Sequence, residues 1–388
     1  MKPLHIMWLG LRGFPNVQGG IETHAQNLCP WLAQMGCEVT VIVRSCYQPP
    51  DIGPEWKGVR FKSIWTPHSK HLEAVVHTFL GVLYAAIKRP DVLHIQAIGP
   101  ALMTPLARLL GLRVVVTHHG PDYDRQKWGK LAKAALQLGE FFGMRFSNAR
   151  IAISDGIRKL VHDKHVVQCA LIPNGVEVPS PHRGKDTLAA FGLEPKRYVL
   201  LVSRFVPEKR HHDLIMAFRL ANLPGWKLAL VGASDHPDEY TQSVLDTAAT
   251  CGDIVCTGFQ TGLALKELYQ NAGLFVLPSS HEGLPIALLE AMSYGLPAIA
   301  SDIAPHLEID CADIDYYPLG DIDALAALLR LRAEEAAEQG RGERVRQFVL
   351  ERYKWRDVAS RTYEIYADVV AGGGRLAAKP ETVTAKTV

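Results

Sequence analysis

No hydrophobic run in this chain reaches bilayer length: the longest apolar stretch, residues 74–87, is interrupted by His77 and falls short of what a crossing helix needs, roughly 20 residues. Only Lys2 precedes the first apolar strand and Arg12 follows early, so a secretory leader is not expected. The seven cysteines are scattered and form no C-x-x-C, which argues against a disulfide framework and a zinc knuckle and fits a reducing cytosol. Charge of one sign is also missing: a formal net charge of +2 gives the whole molecule no pull on nucleic acid, and no such partner is expected. Sixteen histidines are present, yet none falls in H-E-x-x-H, and His211 and His212 are neighbours that cannot easily both turn to one ion. Neither a metal nor any other cofactor is expected.

What the chain does have is alternation. At 388 residues it is too long for one ordinary core and suits two domains. Strand-like runs (HIMWLG, EVTVIV, GVRFKSI, DVLHIQ, RVVVTHH, ARIAIS) alternate with helical periods at residues 21–35, 71–88, 100–110, 127–146 and 155–164. Pro30 is expected to kink the first of these helices. A stretch rich in proline and charge, residues 179–185, reads as a linker, after which YVLLVSR, WKLALVG and DIVCTG resume the pattern with helices from residue 238 and up to residue 272. Such alternation specifies an α/β protein with doubly wound parallel sheets. Helical periods at residues 321–339, 343–355 and 355–370 follow, and residues 372–388, with no apolar period, are expected to be disordered.

The most informative stretch is residues 275–302, FVLPSSHEGLPIALLEAMSYGLPAIASD, which reads as a strand, a tight loop and a helix stopped by Gly295. Glu282 stands in the loop and Glu290 lies one to two turns inside the helix, so both carboxylates can face one cavity. Two carboxylates suit glycoside hydrolysis. A strand feeding a helix through Gly283 suits an anion better, because unpaired amides and the positive dipole end point outward there. A sugar nucleotide fits: its diphosphate near the helix end, its ribose hydroxyls on Glu290, its sugar by Glu282. The plainer alternative makes Glu282 a first-turn acid and Glu290 a solvated one.

Other stretches offer matching chemistry. Gly19 and Gly20 stand just ahead of a helix, where paired glycines let amides approach a phosphate. In RFVPEK, Arg204 can grip phosphate oxygens as a fork and Lys209 as a point charge, although a basic loop is more often simply solvated. His118 and His119 end a strand at the sheet edge where open α/β folds bind ligands.

The spacing E-x7-E within HEGLPIALLEAM, followed by YGLPAIASD, resembles the signature of family-4 glycosyltransferases, and the likeness extends to about Val370. It implies the GT-B fold: two Rossmann-like domains facing a central cleft, here residues 1–178 on the acceptor side and 179–355 on the nucleotide-sugar side, with helix 356–371 crossing back. It implies a retaining transferase that moves sugar from a nucleotide-diphosphate sugar to a hydroxyl of a glycan or polyprenyl-diphosphate-linked acceptor. Gly19 and Gly20 would close over the donor phosphates, and R-x4-K would clamp them through Arg204 and Lys209. Gly283, Leu284 and Pro285 would present the helix end, while Gly232, Gly258 and Phe259 would border the base. The run THHGPDYDRQKWGKLAK resembles the catalytic loop of bacterial family-4 enzymes that make surface polysaccharides, which places His119 before the sugar and makes His118 the lesser neighbour. The same fold hosts sugar-nucleotide epimerases, and a donor-binding protein without catalysis is the non-enzyme alternative. Residues 127–146, with Leu131, Ala135, Leu138 and Phe142 on one stripe and Lys127, Lys130 and Lys133 nearby, could lie on an anionic membrane or be a core helix with a solvated basic face.

Overall fold

The computed structural model describes residues 2–48, 52–67, 72–125, 128–181, 184–235, 237–335 and 340–372. Two sheets organise them. The first contains β1 (His5–Leu9), β2 (Glu38–Arg44), β3 (Glu55–Trp56), β4 (Val59–Ile64), β5 (Val92–Gln96), β6 (Val114–His118), β7 (Ala149–Ala152) and β8 (Ala170–Leu171), in the order β3-β4-β2-β1-β5-β6-β7-β8. The second contains β9 (Tyr198–Val202), β10 (Lys227–Val231), β11 (Ile254–Gly258), β12 (Leu274–Leu277), β13 (Ala298–Ser301) and β14 (Ile314–Tyr317), in the order β11-β10-β9-β12-β13-β14. Every pairing is parallel except that of β3 with β4. Every residue of β5, β6, β12 and β13 is buried, as expected of strands covered on both faces.

This winding places the site. Strand order reverses beside β1, which pairs with β2 on one side and β5 on the other, and beside β9, which pairs with β10 and β12. Loops leaving the carboxyl ends of such strands diverge and open a crevice. The loops after β1, β6, β9, β11 and β12 carry Gly19 and Gly20, His119, Arg204 and Lys209, Phe259, and Glu282 respectively.

The helix Trp355–Val370 packs on the first sheet's side of the molecule: Trp355, Val358, Ile365 and Tyr366 share a buried cluster with Ile6, Trp8, Leu28 and Leu32. The helix Gly20–Gln34 runs through Pro30 as one element, so the proline does not divide it. Residues 321–339 yield a helix over Ile322–Glu334, and residues 336–339 lie outside the described residues. Among the elements that escape the sequence reading are the helices Asp186–Ala190, His211–Ala221 and Ala304–Leu307 and the strands β3 and β14. His71, Lys127 and residues 373–388 lie outside the described residues.

The basic helix begins at Lys130 and ends at Phe146, and its orientation differs from the core alternative. Its buried residues are Gly139, Glu140, Gly143 and Met144, whereas Leu131 is 87% exposed and Leu138, Phe141 and Phe146 are also exposed. Glycines set this arrangement: a Cβ on Gly139 would stand 2.2 Å from the Ile98 carbonyl oxygen, and one on Gly143 would stand 2.7 Å from Ala101 Cβ. The helix therefore lies close on the segment after β5 through its smallest residues, and the apolar stripe faces outward.

Candidate active site

Gly19 is held at φ 151°, and a side chain there would collide with Glu22, whose Oε2 lies 2.1 Å from the ideal Cβ position. Glu22 occupies that space because it turns back to Arg12, accepting from its Nε and its backbone amide, each at 3.1 Å. Burial pushes the Glu22 carboxyl up, but the Arg12 guanidinium outweighs it and holds the group below its ordinary value. Around Gly20 the surroundings differ, with nothing within 4 Å of the ideal Cβ position. The helix that starts there has no side-chain cap at Gly19.

The first loop also grips the second half. Arg12 bonds Asp235, Gln18 Nε2 donates to the Ser203 carbonyl at 3.4 Å, and Gln18 Oε1 accepts from the Ala233 amide at 3.3 Å. Gly232 sits at this junction because a Cβ would lie 1.9 Å from the Ser203 oxygen. Arg204 is half-buried here and makes no ion pair among the described residues; desolvation, then the nearby guanidiniums of Arg125 and Arg12, lower its affinity for its proton. Three guanidiniums from both halves thus share one neighbourhood, a setting that favours a polyanion.

Lys209 does not stand apart as a point charge. It is ion-paired to Glu282, joining the R-x4-K loop to the loop before the helix Ile286–Ser293. Burial raises Glu282, but Lys209, and then His306, prevail and keep it ionised below the usual carboxylate range. Glu290 is tuned the opposite way. Burial pushes it up to about 7, against the pull of the Tyr269 hydroxyl that donates to its Oε2 at 3.1 Å, with the charge of Glu177 adding to the rise. Tyr269 is itself fixed by stacking on Tyr294, with ring centroids 5.5 Å apart. Neither glutamate is a solvated helix acid.

Gly283 brings the halves into contact, since a Cβ on it would fall 2.1 Å from the His119 carbonyl oxygen. Leu284 is 7% exposed, and Pro285 is the residue before the helix, which has no side-chain cap. His119 Nε2 lies 2.8 Å from Gln96 Oε1, and its ring meets that of His24 edge to face at 5.0 Å. Burial, and behind it the neighbouring His24, His94 and His118, keep His119 neutral well below its ordinary value. His118 turns inward instead: its Nδ1 accepts from the Gly120 amide at 3.1 Å and its Nε2 is 3.8 Å from buried Glu140. Gly258 at φ 70° and the 39%-exposed ring of Phe259 lie at the end of β11, whose Gly258 carbonyl accepts from the Gly232 amide at 2.9 Å.

Sequence reasoning missed Glu22, Asn174, Asp235 and the pair Arg125 and Glu208, which lie 3.9 Å apart across the cleft. Arg125 and Glu208 had a local signal, since each falls inside a run already singled out. Among the described residues no group of three or more His, Cys, Asp or Glu could hold a metal ion.

A family model described as Glycosyltransferase Family 4 matches residues 18–178, and one described as Glycosyl transferases group 1 matches residues 187–332. The chain is 26% identical over 389 residues to alpha-maltose-1-phosphate synthase of Mycobacterium tuberculosis, covering 92% of this chain and 97% of that protein. It is 27% identical over 398 residues to the GDP-mannose-dependent alpha-(1-6)-phosphatidylinositol monomannoside mannosyltransferase of Mycolicibacterium smegmatis, with the same coverage of 92% and 97%. Among solved structures, sucrose-phosphate synthase from Thermosynechococcus elongatus matches with a TM-score of 0.80 at 22% identity, over 95% of this chain and 100% of that one. With one family model on each sheet and a full-length structural match joining them, the chain belongs to the GT-B glycosyltransferases, its halves being Glycosyltransferase Family 4 and Glycosyl transferases group 1.

Proposed function

We propose that this glycosyltransferase moves a sugar, with retention and without a metal, from a nucleotide-diphosphate sugar to a hydroxyl of a glycan or lipid-linked acceptor in cell-surface polysaccharide synthesis. The observation that carries this reading is contact between the loops of the two halves: Gln18, beside the glycine pair, bonds Ser203 and Ala233, Lys209 pairs with Glu282, and Gly283 lies against the His119 carbonyl. Negative charge grows on the diphosphate as the anomeric bond breaks, and donors fixed before the reaction stabilise it without reorganising. Arg204, Lys209 and the two helix ends fill that role. Glu290 takes the ribose hydroxyls. Glu282, held ionised by Lys209, faces the transferred sugar, and neutral His119 lies on the opposite wall toward sugar and acceptor. Gly258 and Phe259 border the base.

A lipid-linked acceptor is supported by the printed substrate of the Mycolicibacterium relative, a phosphatidylinositol monomannoside. It is also supported by the helix Lys130–Phe146, which turns Leu131, Leu138 and Phe141 outward beside Lys130 and Lys133. No helix among the described residues is long and apolar enough to cross a membrane, so the contact proposed is peripheral, on the cytoplasmic face. Flotation with anionic vesicles at low salt tests it: binding should fall when Lys130 and Lys133 become Gln, and a protein that never floats refutes the contact.

A thermal-shift screen of nucleotide sugars tests the donor, because a ligand that binds only the folded state raises its stability by mass action. The protecting compound, supplied with a labelled glycan or polyprenyl-diphosphate acceptor, should yield product of unchanged anomeric configuration. Inverted product overturns the retaining reading.

A further inference from the structure

The chain passes between its halves twice, and the two passages touch. Val176 donates to the Tyr353 carbonyl at 2.6 Å and pairs in parallel with Lys354. A Cβ on Gly175 would stand 2.7 Å from the Trp355 ring and 2.8 Å from its backbone nitrogen, so only glycine allows this approach. Asn174 precedes that crossing and is buried, with 2% of its surface exposed. Its Nδ2 donates to the Leu284 carbonyl at 3.0 Å, and its Oδ1 lies 2.9 Å from His24 Nδ1. The Leu284 oxygen can only accept, which fixes the amide orientation, and the amide then requires a proton on His24 Nδ1.

These two partners belong to opposite walls of the cleft. His24 lies in the helix Gly20–Gln34, which begins at the glycine pair, and Leu284 follows Gly283 in the loop that carries Glu282. We propose that Asn174 is a positioning residue for sugar transfer: its carboxamide ties the glycine-pair helix to the Glu282 loop where the chain crosses between the halves. The proposal rests on the reading that the donor diphosphate lies between those walls. Asparagine suits the task because one short side chain must offer both an acceptor and a donor. Aspartate keeps the acceptor and loses the donor; alanine loses both. A reacting centre misplaced by about 1 Å can cost roughly 100-fold in rate, so a tie between the walls acts on turnover although it touches no substrate.

The test compares Asn174→Asp, which keeps the shape and the His24 arm, with Asn174→Ala. Hydrogen exchange is followed in peptides covering residues 19–28 and 279–289. UDP, GDP and ADP are titrated calorimetrically, and transfer is measured with the nucleotide sugar of whichever one binds the wild type. Asn174→Asp should speed exchange in 279–289 alone and lower kcat/KM by about tenfold or more, while Asn174→Ala should loosen both segments. Wild-type exchange and kcat/KM in Asn174→Asp would overturn the proposal, as would faster exchange spread evenly over both sheets. Unchanged diphosphate binding in Glu290→Gln condemns the donor reading instead. Weakened binding there, combined with a wild-type-like Asn174→Asp, condemns the positioning role alone.

Discussion

Replacing Glu290 by Gln should stabilise the protein while weakening its hold on the donor, and the two effects have separate causes. The native carboxyl keeps its proton up to about 7 against an ordinary value of 4.5, mainly because it is buried. Between those values the unfolded chain has released this proton and the native one has not, so the group's contribution to stability falls as pH rises through that window. Glutamine retains the shape and an oxygen for the Tyr269 hydroxyl but never ionises. Integrating the difference gives the variant an advantage of about 1 kcal/mol at pH 5 that grows to about 3 kcal/mol at pH 8. Urea unfolding at both pH values measures it through the midpoint and slope. Binding should move the other way. Ribose hydroxyls donating to a carboxylate lose a charge-assisted hydrogen bond, worth about 1.5 to 3 kcal/mol, or about 10- to 150-fold in Kd for the nucleoside diphosphate by calorimetry. A stability gap that does not widen from pH 5 to pH 8 refutes the buried-carboxyl argument. Unweakened binding refutes the ribose assignment on which the donor site rests.

Three further outcomes follow from the same geometry. His119→Ala should leave nucleoside diphosphate affinity near wild type and lower single-turnover transfer by about 10² to 10³, the scale of one preorganised polar group at a reacting centre; a purely affinity-based defect contradicts its place by the sugar. Gly283→Ala sets a methyl 2.1 Å from the His119 carbonyl oxygen, so the walls must part and kcat/KM should fall by about 100-fold; wild-type transfer would show that this contact is dispensable. Activity should persist in excess EDTA, and loss restored by magnesium or manganese would remove the charge-neutralising role from Arg204 and Lys209.

Much of the fold was legible because the signal was local. Largely apolar strands such as VVVTH and LFVL, with helical periods between them, specify covered parallel sheets whichever sequence surrounds them. The strand Ile314–Tyr317 was not legible, since IDYY is short and interrupted by a charge, and it takes its identity from pairing along β13. Likewise Glu282 and Lys209 were each legible, but their pairing was not, because it joins loops 73 residues apart. The outward turn of Leu131 and Leu138 was also hidden. Apolar periodicity marks a stripe without saying which side is buried, and here the glycines at 139 and 143 decide.

The two glutamates of E-x7-E show how little residue type alone decides. Glu282 and Glu290 lie on one loop-helix unit, and both are removed from water, which by itself would raise both. Lys209, brought from the loop after β9, reverses that trend at Glu282 and keeps it charged. At Glu290 the direct partner among the described residues is a neutral hydroxyl from Tyr269, while Glu177 opposes ionisation further, so the group stays near half-protonated at neutral pH. Glu282, the carboxylate assigned to the sugar, is therefore held in its charged form. The one assigned to the ribose is free to ionise when hydroxyls come to share it, so wild-type affinity for the nucleoside diphosphate should rise with pH from 6 to 8 beyond any rise shown by Glu290→Gln. Parallel pH dependence in the two proteins would place that titration on the phosphates and not on Glu290.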